Sequence, residues 1–387
     1  MLQALKAELE QRQEQGLMRQ RRLLDSPQAE HIVADAGQYL SFCSNDYLGL
    51  ANRPELIAAM QQAAADSGVG SGASNLITGH HRYHDTLEKQ LAVFVQMPAA
   101  LLFSTGYMAN IGVLGALAGR GDAIFADKLN HACLNDGGYY SMAEFKRFAH
   151  NDVQALEKLL KASTAKRKII AADAVFSMDG DIAPIPEYLK LCEQYDAYLY
   201  MDDAHGFGVL GKHGSGTLSH FGLKSPRIIM MATLGKAAGV AGAFVAGEQV
   251  VIDYLIQTAK SYVYSTPAPP ALSATLSASL KLIEHGDDLR AHLQHLIMTL
   301  RQHLHLKKWE LMPSETAIQP LLIGGNHEAL QVSAYLQRHG ILVPAIRPPT
   351  VPANTARLRI SLSAAHKRQD VIKLADMLNQ AEKELAA

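Results

Sequence analysis

A lysine follows one of the apolar segments in the middle of the chain. The run Ile228–Thr233 leads through Leu234 and Gly235 to Lys236, and two alanines come next. A loop lysine is ordinarily a solvated surface residue, but small neighbours leave room here for a planar ring. A lysine that is desolvated in a cleft can lose its proton and form a Schiff base. Lys236 is therefore a candidate nucleophile.

A carboxylate and an imidazole follow a second apolar run. Ala197–Met201 is followed directly by Asp202, and His205 lies three residues further on. These two residues alone are weak evidence, and a metal site would need a third ligand that the neighbouring residues do not supply. Together with Lys236 they fit pyridoxal 5'-phosphate, which needs a lysine for attachment and an acid to keep its pyridine nitrogen protonated.

Two further positions fit the rest of that cofactor. Gly106 and Tyr107 follow the apolar run Ala100–Ser104 and open a helical stretch. Backbone N–H groups and the positive end of the helix dipole can bind a phosphate group there. His131 follows the run Ala123–Ala126 and is placed to stack on the cofactor ring.

The elements that position these residues form an alternating pattern. Apolar runs separated by helical stretches occupy the chain from about residue 39 to 266; further runs are Ile169–Phe176 and Ala243–Ala246. Continuous apolar strands separated by helices predict a parallel sheet covered on both faces. Such sheets bind ligands at the carboxyl ends of their strands, where the candidate residues fall.

The pattern changes after the proline-rich segment 266–270. A helical region over 271–306, a strand over Ile318–Ile323 and an alternating strand over Arg357–Leu362 predict a smaller α+β module. We therefore expect an α/β protein with an N-terminal helix and linker at 1–40, a large cofactor-binding domain at 41–270 and a small domain at 271–387. In the opening segment, Leu2, Leu5 and Leu9 recur at helical spacing.

Composition excludes several classes of protein. The 387 residues are 48% apolar and 19% charged with a net charge of −1, so no strong field favours nucleic acid or an anionic membrane. Three cysteines without a C-x-x-C pair predict a reducing compartment rather than a disulfide framework. No signal-peptide pattern opens the sequence, and no run approaches the roughly 20 apolar residues of a membrane helix. A soluble cytoplasmic protein is expected.

Six short segments, in order along the chain, carry a resemblance to a known family. They are Ser44-Asn45-Asp46-Tyr47-Leu48-Gly49-Leu50, Gly70-Ser71-Gly72, Asn130-His131-Ala132, Phe176-Ser177-Met178-Asp179-Gly180-Asp181, Asp202-Asp203-Ala204-His205-Gly206 and Thr233-Leu234-Gly235-Lys236. Together they span most of the chain between residues 40 and 270. The sequence resembles the α-oxoamine synthases, which are fold-type I pyridoxal phosphate enzymes with a large, mostly parallel-sheet domain and a smaller C-terminal α+β domain.

The resemblance implies a role for each candidate residue. Lys236 would hold the cofactor and act as general base, and Asp202 would pair with the pyridine nitrogen. His205 would bond the ring oxygen, and His131 would stack on the ring and face the substrate. The remaining cofactor contacts would come from Ser177, Thr233, Gly106 and Tyr107, with Thr233 and the two backbone N–H groups at the phosphate.

The C-terminal module narrows the expected reaction. Arg347-Pro348-Pro349-Thr350-Val351-Pro352 resembles the substrate-binding segment of the members that condense L-alanine with a pimeloyl thioester in biotin biosynthesis, with loss of CO2. Arg347 and Thr350 would bind substrate, as would Arg19, for which Arg21 is a rival. The thioester carrier, CoA or an acyl-carrier protein, stays open.

The resemblance also implies a homodimer with shared active sites. Family members place Ser265-Thr266 and the Gly70–Ser74 loop against the cofactor of the partner subunit.

Other interpretations stay open or are disfavoured. A glycine-using relative such as 2-amino-3-ketobutyrate CoA ligase is the alternative within the family, and a non-catalytic subunit is disfavoured because Lys236 is present. His80, His84 and Glu88 lack the H-E-x-x-H spacing of a zinc site, so no metal is expected. Asp179-Gly180-Asp181 fits a turn better than a calcium loop.

Overall fold

The computed structural model describes residues 1–386 as strands, helices and their connections. The strands of this part are β1 (His31–Ala34), β2 (Gly37–Ser41), β3 (Ala99–Phe103), β4 (Ala123–Asp127), β5 (Glu144–Phe148), β6 (Lys168–Asp173), β7 (Tyr198–Asp202), β8 (Ile228–Thr233), β9 (Ala243–Gly247), β10 (Glu310–Leu311), β11 (Ile318–Gly324), β12 (Ile341–Leu342), β13 (Ala345–Ile346) and β14 (Ala356–Ser361). The α-helices of this part are α1 (Leu2–Glu14), α2 (Pro54–Ser67), α3 (Arg82–Phe94), α4 (Gly106–Leu117), α5 (Ala132–Tyr140), α6 (Val153–Lys161), α7 (Ile185–Gln194), α8 (Thr217–Phe221), α9 (Gln249–Thr258), α10 (Lys260–Val263), α11 (Pro270–Glu284), α12 (Asp287–His303), α13 (Asn326–Arg338) and α14 (Arg368–Leu385).

The chain divides into two compact units, each built from separate segments. The large domain comprises Arg53–Ser177 and Ile182–Asp287. The small domain comprises Met1–Asn52, Met178–Asp181 and the chain from Asp288 onward. These boundaries differ from the predicted divisions after residues 40 and 270.

Backbone pairing explains the first shifted boundary. The amide of Phe42 donates to the carbonyl of Leu342, and the amide of Ser361 donates to the carbonyl of Phe42. The amide of Ala364 donates to Tyr47 in the same way. Residues 41–52 are therefore joined to the C-terminal strands, although about 300 residues separate them in sequence.

Helix packing explains the second shifted boundary. Helix α11 packs on α2 and α3, so it belongs to the large domain.

Hydrogen bonds explain why the short segment Met178–Asp181 belongs to the small domain. Gly180 accepts hydrogen bonds from the hydroxyls of Ser314 and Thr316. The Asp179 carboxylate lies 2.5 Å from the guanidinium of Arg357, so this turn is fixed to the small domain.

The large domain is built on a seven-stranded sheet in the order β3-β9-β8-β7-β6-β4-β5. Strand β9 runs opposite to the other six strands, which all point the same way, so the prediction of a mostly parallel sheet is confirmed. Almost every residue of β4 and of β6 to β9 is buried, as expected for strands covered on both faces. On one face, α4 packs Val113 and Leu114 against the core that includes Ile169 and Ile229.

Two parts of the pattern were predicted incompletely. Strand β5 at the sheet edge reads Glu-Phe-Lys-Arg-Phe and was not predicted, because an exposed edge strand lacks a continuous apolar run. The long helical region predicted over 271–306 is two helices, α11 and α12, which are separated near Gly286.

The small domain holds two sheets. One is antiparallel in the order β10-β11-β14-β13, and the other is the three-stranded β1-β2-β12. All six residues of β14 are buried, which puts Arg357 and Arg359 inside the domain together with Leu358 and Ile360. Helix α1 forms as predicted, but none of its residues is buried. Within residues 1–386, no helix is both long and apolar enough to cross a membrane.

Candidate active site

The carboxyl end of the large sheet brings the central candidates together. Asp202 ends β7, and Lys236 follows β8, the neighbouring strand. The Lys236 Nζ lies 2.9 Å from the Nε2 of His205. His205 is buried, whereas Lys236 is half-buried. The Lys236 amine therefore lies against the His205 imidazole at a strand end. This arrangement suits a lysine that reacts covalently and exchanges protons.

Asp202 is buried and held by directed hydrogen bonds. Its Oδ1 accepts from the backbone N–H of Ala204 at 3.0 Å, and its Oδ2 accepts from the Nδ2 of Asn110 at 2.7 Å. The hydroxyl of Tyr200 donates to the Oδ1 of Asn110 at 2.6 Å. These bonds orient the carboxylate without a cationic partner among them, as suits a group that pairs with a pyridinium nitrogen.

The N-terminus of α4 lies beside the end of β8. Thr105 caps this helix, since its hydroxyl oxygen accepts from the backbone N–H of Met108 at 3.1 Å. A Cβ built on Gly106 would meet side-chain atoms of Met231 and Thr233 at 3.7 to 3.8 Å. The predicted phosphate-binding residues Gly106 and Thr233 are therefore neighbours, and Tyr107 follows with an exposed ring.

The hydroxyl of Thr233 has a partner within the protein. It donates to the carbonyl of Gly242 at 3.0 Å, and its oxygen lies 3.4 Å from the backbone N of Gly235. Ser177 is half-buried and follows β6 by four residues. Both therefore sit where the sheet's parallel strands end.

His131 caps α5 and faces the same group of residues. Its backbone N–H donates to the Asp173 carboxylate at 2.9 Å. The loss of hydration around the ring lowers the pKa of His131 and the Lys236 charge adds to this, whereas Asp202 opposes it. The ring is accordingly biased toward the neutral form.

Two buried carboxylates beside this group were not singled out from the sequence. Burial, reinforced by the neighbouring Asp202, raises the pKa of Asp173 well above its ordinary value. Burial raises the pKa of Asp203 to about 7, although Asp203 accepts hydrogen bonds from the backbone N–H and the hydroxyl of Thr217 at 2.8 and 2.5 Å. Their only sequence signal was an acidic residue next to an apolar strand.

The backbone around Asp203 requires glycine. A Cβ on Gly206 would lie 2.1 Å from the Oδ1 of Asp203, and a Cβ on Gly216 would lie 2.3 Å from its Oδ2. Real Cβ atoms do not approach oxygen this closely, so no larger residue fits without displacing the carboxylate. The glycine that follows His205 is thus explained by the packing of Asp203.

The two segments predicted to serve a partner subunit are neighbours in the large domain. The Ser71 hydroxyl donates to the carbonyl of Ala268 at 3.0 Å, and the Asn75 side chain lies 3.4 Å from the carbonyl of Tyr262. These contacts join the Gly70–Ser74 loop to the stretch that contains Ser265-Thr266.

One histidine of the cluster near residue 80 lies beside a half-buried acid, Glu88. Burial raises the pKa of Glu88 to about 7, and its Oε1 accepts from the backbone N–H of Leu102 at 2.9 Å. The Nε2 of His80 lies 3.6 Å from Glu88. Within residues 1–386, no group of three or more His, Cys, Asp or Glu side chains is arranged to hold a metal ion.

In the small domain, the predicted substrate residues lie close together. The guanidinium of Arg347 donates to the backbone carbonyls of Gly16 and Met18. Arg19 donates to the hydroxyl of Thr350 at 3.0 Å. Desolvation lowers the pKa of Arg347, and the nearby charge of Arg19 adds to this effect.

An open cleft of about 530 Å³ lies beside these residues. Its lining includes Arg21, Arg22 and Arg347, whereas Arg19 does not contribute. Arg22 already pairs with Asp35 at 3.2 Å. The cleft is therefore basic on one side and suits an anionic group.

Sequence reasoning missed a buried arginine in the small domain. Arg359 is 5% exposed, and its guanidinium donates to Asn45 at 3.0 Å, Ser361 at 2.6 Å and Tyr47 at 3.4 Å. A signal for Arg359 was present in the sequence. In β14, arginines alternate with Leu358 and Ile360, so Arg359 lies on the opposite face of the strand.

The groups of the large domain fit pyridoxal phosphate by their chemistry. An amine, a buried carboxylate, two imidazoles and a capped helix N-terminus lie around the carboxyl ends of adjacent strands. Lysine, acid and phosphate site are the three functions that this cofactor requires from a protein.

Comparison with known proteins agrees with this fit. Residues 38–378 match the family described as aminotransferase class I and II. The chain is 59% identical over 382 residues to the 8-amino-7-oxononanoate synthase of Methylobacillus flagellatus, covering 99% of this chain and 96% of that protein.

Solved structures of related enzymes have the same fold as this chain. A serine palmitoyltransferase variant from S. paucimobilis, solved with a bound aldimine of pyridoxal phosphate and myriocin, superposes with a TM-score of 0.93 at 27% identity, covering 99% of this chain and 98% of that one. The 8-amino-7-oxononanoate synthase of Francisella tularensis superposes with a TM-score of 0.78 at 30% identity, covering 90% of this chain and 99% of that one. The family and these structures indicate that the cofactor of this chain is pyridoxal phosphate.

Proposed function

The chain belongs to the class I and II aminotransferase family, and from this premise we propose that it is an 8-amino-7-oxononanoate synthase. The reaction is the decarboxylative condensation of L-alanine with a pimeloyl thioester in biotin biosynthesis. It releases CO2 and the thiol carrier, which is CoA or an acyl-carrier protein. The observation that carries this proposal is the group formed by Lys236, His205 and Asp202 at the end of the large sheet.

The residues of the large domain have distinct tasks. Pyridoxal phosphate supplies, when bound, an electron sink for the carbanion that forms at the α-carbon of alanine. Lys236 would bind the cofactor through Nζ, and the same amine, when free, would take the α-proton of alanine. Asp202 would hold a proton on the pyridine nitrogen, and His205 would donate to the ring oxygen. His131 would stack on the ring and orient the substrate.

The start of α4 would hold the phosphate. The backbone N–H groups of Gly106 and Tyr107 would donate to it, and the helix dipole would add a favourable field. Thr233 and Ser177 would contribute hydroxyl groups. Because the Thr233 proton is directed at the carbonyl of Gly242, Thr233 must turn its hydroxyl to donate to the phosphate.

The small domain binds the anionic ends of the substrates. Arg347 binds a carboxylate through two parallel N–H donors, a geometry that an ammonium cannot match. Arg19 and Thr350, which already share a hydrogen bond, bind substrate beside it. A pimeloyl chain carries a terminal carboxylate, so a cluster of arginines suits this acyl group.

The working form is a cytoplasmic homodimer in which each subunit completes the other's site. The support is three exposed apolar side chains of the large domain, Val69, Ile77 and Tyr264, with exposed fractions of 83%, 74% and 81%. These side chains flank the Gly70–Ser74 loop and Ser265-Thr266. Apolar side chains of this size are stabilised when a partner covers them.

Product analysis tests the function. Purified protein with pyridoxal phosphate is mixed with L-alanine and either pimeloyl-CoA or the pimeloyl carrier protein, and products are identified by mass spectrometry. A mass matching 8-amino-7-oxononanoate, with the free thiol carrier and CO2, is expected. Product from glycine and acetyl-CoA, with none from alanine, would instead favour a 2-amino-3-ketobutyrate CoA ligase.

A lysine variant controls this assay. Lys236→Ala is expected to lose the visible absorbance of the bound cofactor and to lower turnover by at least about 10³-fold, within the range for removal of an acid–base group. Lys224→Ala changes an exposed lysine outside the group and should behave as wild type. Wild-type turnover in Lys236→Ala would rule out the assigned role.

A further inference from the structure

Cys133 is a buried cysteine that contacts two parts of the site at once. Its Sγ lies 2.7 Å from the Nδ1 of His131 and 2.9 Å from the Nδ2 of Asn110. The residue is only 3% exposed. None of the roles described above uses this thiol.

The hydrogen-bond directions around Asn110 follow from Asp202. A carboxylate only accepts, so the amide nitrogen of Asn110 must be the atom that faces Asp202 at 2.7 Å. The amide oxygen then faces Tyr200, whose hydroxyl donates to it at 2.6 Å. The second N–H of the same amide donates to the sulfur of Cys133. The sulfur is therefore an acceptor on this side.

The directions around His131 follow from the helix cap. The backbone N–H of Cys133 can only donate, and it points at the Nδ1 of His131 at 3.3 Å. This nitrogen is therefore an acceptor and carries no proton. Burial raises the pKa of Cys133 to about 12, so the thiol keeps its proton at neutral pH. The S–H group then donates to the same nitrogen of His131.

We infer that Cys133 is a positioning residue that holds His131 as the neutral tautomer with its proton on Nε2. The thiol fixes the ring orientation and connects it through Asn110 to Asp202. The orientation of the His131 ring is inferred from the hydrogen-bond geometry alone. The effect of Cys133 on turnover rests on the proposed function. A neutral imidazole presents an N–H donor at Nε2 instead of a second positive charge.

The charged groups around His131 set the expected response to pH. Desolvation, the largest effect, lowers its pKa, and Lys236 acts in the same direction. Asp202 and Asp136 raise it, and Asp173 holds the backbone N–H. Loss of the S–H donor would leave the Nδ1 lone pair freer to accept a proton, so the pKa of His131 would rise.

The direct test is the protonation state of His131 in the cofactor-free protein. Nitrogen-15 spectra of histidine-labelled wild type, Cys133→Ser and Cys133→Ala are recorded against pH, with His131 identified by the signal missing in His131→Asn. Wild type and Cys133→Ser should show an unprotonated Nδ1 and a protonated Nε2 with similar pKa values. Cys133→Ala should titrate at higher pH.

The loaded enzyme gives a second readout. In Cys133→Ala, the acidic limb of the kcat profile should move to higher pH and kcat should fall about fivefold, the effect of one hydrogen bond. Cys133→Ser should restore both. Cys192→Ala removes another buried sulfur, which lies on α7, and serves as the stability control with an unchanged profile.

Three results would overturn the inference. They are a wild-type His131 titration in Cys133→Ala, a Cys133→Ser variant that behaves like Cys133→Ala, and a shift of the same size in Cys192→Ala. Because the nitrogen-15 titration needs neither cofactor nor substrate, its outcome is independent of whether the proposed reaction occurs.

Discussion

The end of the large sheet and the arginine cluster of the small domain hold their polar groups in different ways. In the large domain, Asp202 and His131 are bonded to other buried side chains, such as Asn110 and Cys133, which themselves have fixed donors and acceptors. In the small domain, Arg347 donates to backbone carbonyls of the segment that follows α1.

This difference separates two kinds of preorganisation. A network of buried side chains fixes both the position and the protonation of each member, which proton transfer requires. An arginine held by carbonyls keeps its charge in any case, so only its orientation is fixed. Substitutions in the large domain should therefore change rates and pH dependence, and those in the small domain should change apparent affinity.

Among substitutions that keep Lys236, the largest effect is expected at Asp202. In Asp202→Asn the amide cannot hold a proton on the pyridine nitrogen as the carboxylate does, so cofactor binding should persist while deuterium exchange at the α-carbon of alanine slows roughly 10²–10³-fold. Mass spectrometry of alanine in deuterated buffer measures this rate. Asp196→Asn, which changes an exposed carboxylate paired with Arg227, is the control. Wild-type exchange in Asp202→Asn would contradict the assignment.

A smaller effect, on stability, is expected at the adjacent Asp203. Burial raises its pKa in the folded protein from 3.8 to about 7, so the folded state binds a proton that the unfolded state has released. The free energy of unfolding should therefore fall as pH rises from about 4 to about 7, by at most about 4 kcal/mol from this group.

Urea unfolding of the cofactor-free protein at several pH values measures the Asp203 contribution. Asp203→Asn carries no titrating group and should show a flatter dependence between pH 4 and 7 than wild type. The Asp196→Asn variant should follow wild type. Parallel curves for Asp203→Asn and wild type would show that Asp203 does not titrate in this window.

The smallest effect is expected at Arg347. Arg347→Ala should raise the KM for alanine about tenfold, because the lost guanidinium donors bind the carboxylate of the incoming amino acid. Arg347→Lys should recover only part of the affinity, since one ammonium cannot make two parallel bonds. Arg338→Ala, an exposed arginine of the same domain, is the control. An unchanged KM for alanine would remove Arg347 from this role.

The sequence predicted most of the large domain because its strands are continuous apolar runs. The predicted strand over Ile228–Thr233 matches β8, and Asp202 and Lys236 fall at strand ends as expected. The edge strand β5 has no such run, so it was missed.

Features that depend on tertiary contacts could not be predicted from sequence patterns. Asn110 and Cys133 lie inside helices, where nothing in the local pattern separates a network residue from a core residue. The domain boundary after Asn52 depends on pairing between Phe42 and Leu342, residues that are far apart in the chain. Arg359 was overlooked because only the leucine and isoleucine face of its strand was considered.

Covalent trapping on Lys236 tests the central claim most directly. Protein loaded with pyridoxal phosphate is reduced with borohydride, which fixes the cofactor to the lysine that binds it, and is then digested with trypsin. We predict a pyridoxyl group on the peptide Ile228–Lys260, uncleaved at Lys236 because that lysine is modified. A pyridoxyl group on any other lysine, with Lys236 unmodified, would contradict the account.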